Sequence, residues 1–283
     1  MTRQIKEIRN GRKHGPVNSF VNSTNVAELN PFVLWDHFYL SSVEGSAGFD
    51  FHGHSGVATI SYPQIGDIGH EDTGGHSGLL KAGGIQIMAA GAGVLHKETV
   101  YPNQRLADAF QLWVALPEGG IEMGPVRYST LQKQDIPVIE DDGSKTKVLI
   151  GQYQYQESTV QSPADMSYLH VQLEADSQWT HLSKASHSTA FIYVRNGTLN
   201  TGGVQLSAGE LGIFEKKVST IAVCALTQES EFLLISGAPL KQEIISNGAS
   251  VHSNSTNLIA GAQKIRQLHI NGIDQLLQKR GLF

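Results

Sequence analysis

Residues 50–56 read Asp-Phe-His-Gly-His-Ser-Gly, and residues 95–99 read Leu-His-Lys-Glu-Thr. Side chains two positions apart on a β-strand point to the same side of the sheet, so His52 and His54 would share one face. His96 and Glu98 would share a face in the same way on a second strand. Three imidazoles and one carboxylate inside a small barrel form a ligand set for iron(II), manganese, nickel, copper or zinc. One or two coordination positions stay open, which is typical of a reactive metal.

The same residues have a simpler interpretation. His-Gly-His on a glycine-rich loop is compatible with exposed polar side chains, and His-Lys-Glu is compatible with a solvated strand edge. Either pair alone is weak support for a metal site, whereas two pairs on glycine-bounded β-segments favour one. The 42 positions from His54 to His96 suit two strands of one barrel that are joined by hairpins.

The composition is that of an ordinary globular chain. Of its 283 residues, 40% are apolar and 17% are charged, which argues against disorder and against a coiled coil. A formal net charge of −5 argues against direct binding to nucleic acid. The N-terminus does not read as a secretory signal, no apolar run approaches a membrane span, and Cys224 is the only cysteine. We therefore expect a cytoplasmic protein that does not bind membranes.

Short β-like segments separated by glycine turns follow one another from about residue 30 to residue 240, which predicts an all-β fold. Asp142-Gly143 and Asn196-Gly197 are typical of hairpin turns. Residues 69–78, Gly-His-Glu-Asp-Thr-Gly-Gly-His-Ser-Gly, are predicted to form a long polar turn. A structural role is therefore expected for His70.

A strand is also predicted from Phe110 to Leu116, where Gln111 and Trp113 share one face and alternate with apolar neighbours. Trp113 could reach the mouth of a pocket in the barrel, and so could His37, which follows Asp36. Packing in the core is the expected role of these side chains.

The two halves of the chain contain a weak internal sequence repeat with a spacing of about 125 residues. Residues 80–88 resemble residues 204–214. Such repetition suggests two similar barrels in tandem. We expect a metal-binding barrel over residues 1–130 and a second barrel over residues 131–283. Apolar residues at near-helical spacing within 262–282 predict a helix at the end of the second barrel.

At these residues the chain resembles the pirin family, a branch of the cupin superfamily. The resemblance rests on six motifs in the family's order and spacing. In this chain they are Pro31–Phe38 (P-F-V-L-W-D-H-F), Ala47–His54 (A-G-F-D-F-H-G-H), Gly69–Asp72 (G-H-E-D), Met88–Glu98 (M-A-A-G-A-G-V-L-H-K-E), Gln111–Val114 (Q-L-W-V) and Ile235–Leu240 (I-S-G-A-P-L).

The resemblance implies two tandem cupin barrels (double-stranded β-helices, or jelly rolls) with a metal in the N-terminal barrel only. The implied ligands are His52, His54, His96 and Glu98. The implied metal is iron(II), and manganese, nickel, cobalt, copper or zinc could replace it. In the second barrel, His181 and His187 lie six positions apart and form no matched pair, so no second metal is expected.

Some pirin-like proteins are similar in activity to quercetin 2,3-dioxygenases, which cleave a flavonol with O₂ and release carbon monoxide. In that interpretation Glu98 is catalytic and accepts the 3-hydroxyl proton. The partners of the chain are then a flavonol-like small molecule and O₂, and a monomer is expected.

Two alternatives remain open. Pirins are also associated with the regulation of transcription or of metabolic enzymes through a protein partner, with the redox state of the metal as a switch. A barrel that the metal only stabilises is the other alternative. Three departures from the family pattern could alter the surroundings of the metal, namely Ser55 in place of Arg, Ala58 in place of Glu and Gly84 in place of Asp. The changes at Ser55 and Ala58 keep both alternatives open.

Overall fold

The computed structural model describes residues 2–22, 26, 28–217, 220–226 and 228–279. The chain divides into two compact units. The unit called the first barrel here comprises Lys13–Glu28, Phe32–Gln134 and Leu240–Phe283. The unit called the second barrel comprises Met1–Arg12, Leu29–Pro31 and Asp135–Pro239.

The strands of the described residues are short and numerous, as expected for an all-β chain. In chain order they are β1 (Ile5–Arg9), β2 (Arg12–His14), β3 (Val17–Val21), β4 (Phe32–Ser41), β5 (Ala47–His54), β6 (Val57–Ile65), β7 (Asp67–Asp72), β8 (Ser77–Leu80), β9 (Ile85–Ala89), β10 (Val94–Tyr101), β11 (Leu106–Ala115), β12 (Arg127–Leu131), β13 (Val138–Asp141), β14 (Ser144–Ile150), β15 (Gln152–Tyr153), β16 (Gln156–Glu157), β17 (Met166–Leu173), β18 (Gln178–Leu182), β19 (Thr189–Asn196), β20 (Thr198–Thr201), β21 (Val204–Ser207), β22 (Leu211–Phe214), β23 (Thr220–Ala225), β24 (Ser230–Gly237), β25 (Ile245–Ser246) and β26 (Val251–His252). A 3₁₀ turn occupies Lys133–Asp135, and one α-helix, α1, occupies Ser255–Lys279.

Each barrel contains one seven-stranded and one four-stranded antiparallel sheet. In the first barrel the strand orders are β12-β9-β6-β11-β4-β3-β2 and β5-β10-β7-β8. In the second barrel they are β1-β22-β19-β24-β17-β14-β13 and β18-β23-β20-β21. Apolar side chains from both sheets share a core: Trp179 and Val223 of the smaller sheet pack in one cluster with Leu169 and Phe232 of the larger sheet. The all-β prediction is confirmed.

The two chain ends belong to other barrels than the predicted division into residues 1–130 and 131–283 assigns them to. Strand β1 pairs with β22, with Ile8 opposite Gly212, and so provides an edge strand for the second barrel. The segment from Leu240 onward belongs to the first barrel, because β26 and α1 pack there. The helical tail therefore covers the barrel that carries the predicted metal site.

The predicted C-terminal helix is present and begins at Ser255, earlier than the predicted residue 262. Asn254 caps it, because its Oδ1 accepts a hydrogen bond of 2.9 Å from the backbone N–H of Asn257. Residues 280–282 of the prediction lie outside the described residues. Neither α1 nor the 3₁₀ turn combines the length and the apolarity that crossing a bilayer requires.

The turn predictions had different outcomes. Asp142-Gly143 connects β13 to β14, which pair with Asp141 opposite Ser144, so that hairpin is confirmed. Asn196-Gly197 connects β19 to β20, which lie in different sheets, so the second hairpin prediction is wrong. The prediction of a long turn over residues 69–78 is also wrong, because β7 extends to Asp72 and β8 begins at Ser77.

A register shift between β5 and β10 sets the geometry around the predicted ligands. His96 is opposite His52, but Glu98 is opposite Phe49, so the register slips by one residue between the two pairs. Beside the slip, Gly48 has a φ of +141°, and a Cβ atom there would lie 2.1 Å from the carbonyl oxygen of Glu98. Only glycine fits at residue 48.

We expect Gly48→Ala to lower the free energy of unfolding by about 1–3 kcal/mol more than Gly45→Ala does, because the added methyl group collides with strand β10. Gly45 is a matched control, since its φ is also positive, at +81°, and a Cβ atom there meets nothing within 4 Å. Urea denaturation of both variants measures the difference. Equal losses of stability would show that the close approach at residue 48 costs nothing.

Candidate metal centre

The three histidines of the two motifs come together inside the first barrel. His52 is opposite His96 on the paired strands β5 and β10, and His54 lies two residues further along β5. The ring centroids are 4.3 Å apart for His52 and His96, 4.9 Å for His52 and His54, and 5.0 Å for His54 and His96. Each imidazole offers a nitrogen, and these nitrogens all lie within 4.8 Å of one another. Strand alternation therefore gathers the residues that the sequence predicted.

Hydrogen bonds orient two of these rings. His52 donates from Nδ1 to the carbonyl oxygen of Asp50 at 2.7 Å, and His54 donates from Nδ1 to that of Ala249 at 2.8 Å. Both bonds leave Nε2 available to a metal, which is the usual arrangement around a ligating histidine. His96 is only 1% exposed, and among the described residues neither of its ring nitrogens has a hydrogen-bond partner. Burying such a ring without partners is costly, so these residues fit a metal ion.

The protonation states agree with that fit. The pKa of His54 is lowered to about 4, mainly by burial and also by the neighbouring His52, while the hydrogen bond to Ala249 acts in the opposite direction. Burial likewise lowers the pKa of His96 well below its usual value, with a contribution from the surrounding imidazoles. Both rings are therefore neutral near pH 7, which is the form that binds a metal.

Glu98 forms a second group that shares His96 with the first. The potential ligand atoms of Glu98, His96 and His70 all lie within 4.8 Å of one another. Ser61 donates a hydrogen bond of 2.9 Å to Oε1 of Glu98, and Gln111 donates one of 3.3 Å to the Ser61 hydroxyl. The carboxylate is thus anchored through side chains of β6 and β11.

His70 is the neighbour that the sequence analysis missed. It lies on β7 opposite Glu98, and its Nε2 donates to Asp72 at 3.1 Å. The Tyr128 hydroxyl contacts both His70 and Asp72. The alternation of Ile68, His70 and Asp72 on the buried face of β7 was the available signal, and the surrounding glycines obscured it.

A cavity of about 270 Å³ is lined by His52, His54, His96 and Glu98. Its other lining residues are Val17, Leu34, Asp36, Phe38, Phe49, Gln111 and Trp113. Most of these are apolar or aromatic, as is usual for a small-molecule site. The volume is slightly below the range of about 300–1,000 Å³ that is common for drug-sized ligands.

Side chains that were expected to pack in the core have two different positions. Trp113 and Asp36 line the cavity, and the Trp113 ring lies 4.6 Å from the ring of His54. His37 points elsewhere: its Nε2 donates to Asp108 at 3.0 Å, and its ring stacks on Phe110 at 4.6 Å. Trp113 also packs against the buried cluster that contains Val33, Val57 and Ala115, so the core-packing expectation is confirmed for it and the cavity wall is an additional role.

Ser55, where the family usually has Arg, belongs to a buried network. Its hydroxyl is 2.9 Å from Nε2 of His252, and Nδ1 of His252 donates to Glu122 at 2.7 Å. The backbone N–H of Val251 also donates to the carbonyl oxygen of Ser55 at 3.1 Å. These bonds attach the C-terminal segment, which includes the Ala249 carbonyl, directly beside His54. The segment is therefore part of the surroundings of the candidate centre.

The other two departures, at residues 58 and 84, have no polar side chain. Ala58 is fully buried in β6. At Gly84 a Cβ atom would lie 2.9 Å from the carbonyl oxygen of Leu131, so the backbone there leaves no room for a larger side chain. In the second barrel, the His181 ring lies 5.9 Å from the Trp179 ring, and His187 contacts Ser236 and Asp165.

Two antiparallel barrels, one of which carries a His/Glu cluster around an apolar cavity, define a bicupin with a candidate metal centre. The family model for pirin matches residues 13–114, and the model for the pirin C-terminal cupin domain matches residues 168–267. The chain belongs to the pirin family, and the predicted two-cupin fold is confirmed.

Individual relatives agree with this assignment. Pirin-1 of Arabidopsis thaliana is 31% identical over 81% of this chain and 79% of its own length. A Pseudomonas aeruginosa protein named as a candidate quercetin 2,3-dioxygenase is 30% identical over 79% of this chain and 80% of its own length.

Solved structures share the fold. A quercetin 2,3-dioxygenase from Acinetobacter baumannii superposes with a TM-score of 0.86 at 24% identity, covering 96% of this chain and 99% of that one. A bacterial pirin from Escherichia coli in complex with nickel(II) superposes with a TM-score of 0.61 at 22% identity, covering 84% of this chain and 98% of that one.

We expect Ser61→Ala to weaken the binding of zinc(II) by about 10–100-fold, because Glu98 loses the hydroxyl that orients its carboxylate. Competition against a chelator of known affinity measures the change. Ser77→Ala on β8 is the control, since Ser77 is exposed. An affinity for zinc(II) that stays unchanged in Ser61→Ala would show that Glu98 needs no such anchor.

A second prediction concerns pH and Glu122. Burial by itself would raise the pKa of Glu122, but hydrogen bonds from Ser253 and His252 outweigh it and hold the pKa below the usual 4.5. The unfolded chain therefore takes up this proton at a higher pH than the native chain. The carboxylate stabilises the fold fully above pH 4.5, and this contribution is lost as the pH falls towards the lowered native pKa.

We expect Glu122→Gln to lower the free energy of unfolding by about 1.5–3 kcal/mol at pH 7. The variant should also lose less stability than the wild type when the pH falls below 4.5. Urea denaturation across this pH range tests both effects, with the exposed Glu243→Gln as control. Parallel pH profiles for the wild type and Glu122→Gln would contradict the prediction.

Proposed function

We propose that this protein is a metal-dependent dioxygenase that cleaves a flavonol such as quercetin with O₂ and releases carbon monoxide. The observation that carries the proposal is that three imidazoles and Glu98 line one largely apolar cavity of about 270 Å³. A centre that only stabilised the barrel would need no such cavity beside it. The related protein of Pseudomonas aeruginosa that is named for this activity adds support.

In this proposal His52, His54, His96 and Glu98 hold one divalent metal, with iron(II) as the expected ion. A divalent metal held by these residues would supply Lewis acidity and redox chemistry for the reaction of an oxygen-donor substrate with O₂. The hydrogen bonds from His52 and His54 to backbone carbonyls keep both rings in one tautomer and in one orientation.

Glu98 acts as the general base in this proposal. Its carboxylate accepts the proton of the substrate 3-hydroxyl, and the bond from Ser61 holds it in place for that transfer. The aromatic walls formed by Trp113, Phe38 and Phe49 accommodate the flat rings and exclude water. One flavonol and one O₂ give one ring-opened ester and one carbon monoxide, so all atoms are conserved.

The test is anaerobic reconstitution with iron(II), followed by quercetin and O₂, with flavonol absorbance and carbon monoxide measured together. We expect one carbon monoxide per flavonol consumed in the wild type. His96→Ala should lose metal and turnover, and Glu98→Gln should lower turnover at least about 100-fold because it removes the base. The exposed His14→Ala serves as a control that should behave as the wild type.

Two results would contradict the proposal. One is an iron(II)-loaded wild type that consumes no flavonol, and the other is turnover that persists in His96→Ala. Stable metal binding without turnover would favour a regulatory protein that acts through a protein partner. A difference in partner binding between the reduced and the oxidised metal would then be the property to measure.

A further inference from the structure

The cavity wall contains a second carboxylate that the proposed chemistry does not use. Leu34, Asp36 and Phe38 alternate along β4 and all line the cavity, so Asp36 is the polar residue in an apolar row. Apart from Glu98, it is the only carboxylate among the described lining residues. The strand period that brings Leu34 and Phe38 to the cavity also brings Asp36 there.

The carboxylate of Asp36 has one oxygen in use and one free. Ser19, opposite it on β3, provides a side-chain hydrogen bond. The other cross-strand neighbour of Asp36 is Gln111 on β11, whose amide group donates to Ser61 instead. Oδ1 of Asp36 is buried, and no hydrogen-bond partner meets it among the described residues.

A buried acceptor without a donor is costly, and most such atoms in native proteins are paired. Burial raises the pKa of Asp36 to about 6, although the Ser19 bond acts in the opposite direction. Perturbed carboxyl groups in clefts are typical of functional sites. None of the described residues donates to Oδ1 of Asp36, and a bound ligand with a hydrogen-bond donor would do so.

We infer that Asp36 determines substrate specificity, because Oδ1 accepts a hydrogen bond from a substrate hydroxyl that lies apart from the metal-binding oxygens. This inference rests on the proposed function and narrows the substrate class. The substrate is an aromatic enol with a neighbouring carbonyl and with at least one further phenolic hydroxyl. The aromatic rings of Phe38, Phe49 and Trp113 contact its ring system, and Asp36 fixes its orientation.

Two flavonols separate the contributions of the metal and of Asp36. Both 3-hydroxyflavone and quercetin contain the enol–carbonyl pair, but only quercetin has further hydroxyls. Their affinities are measured by calorimetry on zinc(II)-loaded protein without O₂, so that binding is observed independently of turnover. We expect the wild type to bind quercetin at least about tenfold more tightly than 3-hydroxyflavone, which corresponds to one hydrogen bond to a charged group.

The variants Asp36→Asn and Asp36→Leu are then compared with the wild type. Asp36→Leu should lose the preference for quercetin and keep its affinity for 3-hydroxyflavone. Asp36→Asn should retain part of the preference, because its amide oxygen still accepts a hydrogen bond. Asp108→Asn is the matched control, since Asp108 is a buried carboxylate on β11 that pairs with His37 outside the cavity lining, and it should keep the preference.

Thermal unfolding adds a readout that does not depend on any ligand. Since the substitution removes a buried charge whose Oδ1 has no donor among the described residues, we expect Asp36→Asn to melt no lower than the wild type. A clear fall in melting temperature together with an unchanged preference would make Asp36 a structural residue and overturn the inference.

The remaining outcomes separate this inference from the proposed function. A preference for quercetin that survives in Asp36→Leu would overturn the inference and leave the dioxygenase proposal standing. An Asp36-dependent preference without O₂-dependent turnover would support the inference and contradict the proposed reaction. A wild type that binds neither flavonol, or both equally, would overturn the inference.

Discussion

The antiparallel pairing of β5 with β10 is the constraint on which the candidate centre depends. It places His52 opposite His96, and strand alternation adds His54 to the same face. The register slip after His96 then moves Glu98 out of line with the histidines, and Gly48 makes that slip sterically feasible. The positions of the four predicted ligands therefore follow from backbone pairing before any side-chain interaction is considered.

The polar groups around the cavity differ in how they are satisfied. Backbone carbonyls accept from His52 and His54, and Ser61 donates to Glu98, so these side chains are held by the fold. His96 and Oδ1 of Asp36 are buried without such partners among the described residues. Since burial without partners is costly, the fold carries a free-energy penalty at these positions. A metal and a substrate hydroxyl are the two occupants that would remove it.

Strand periodicity accounts for what the sequence could predict. It indicated the all-β fold and placed His52 and His54 on one face of their strand, because alternation needs only local information. The approach of His96 to His52 depends in addition on the pairing of β5 with β10. Periodicity failed where glycines imitate turns: His70 lies on a regular strand, and Asn196-Gly197 connects two sheets. The backbone conformation of the Asn-Gly turn is local, but the sheet to which the next strand belongs depends on distant pairing. Asp36 was recognisable as a strand residue, but nothing in the sequence showed that a cavity lies beside it.

The surroundings of His54 show why its orientation could not be predicted. Its Nδ1 donates to a carbonyl that is 195 residues away, on the C-terminal segment. A backbone carbonyl has no residue type, so no motif could have indicated this bond. The segment is held in turn by Ser55, His252 and Glu122, which are also far apart in sequence. In the sequence, Ser55 is only a departure from the family motif, which usually has Arg at this position beside His54. In the folded chain, Ser55 is one of the residues that hold the C-terminal segment and so place the Ala249 carbonyl at His54.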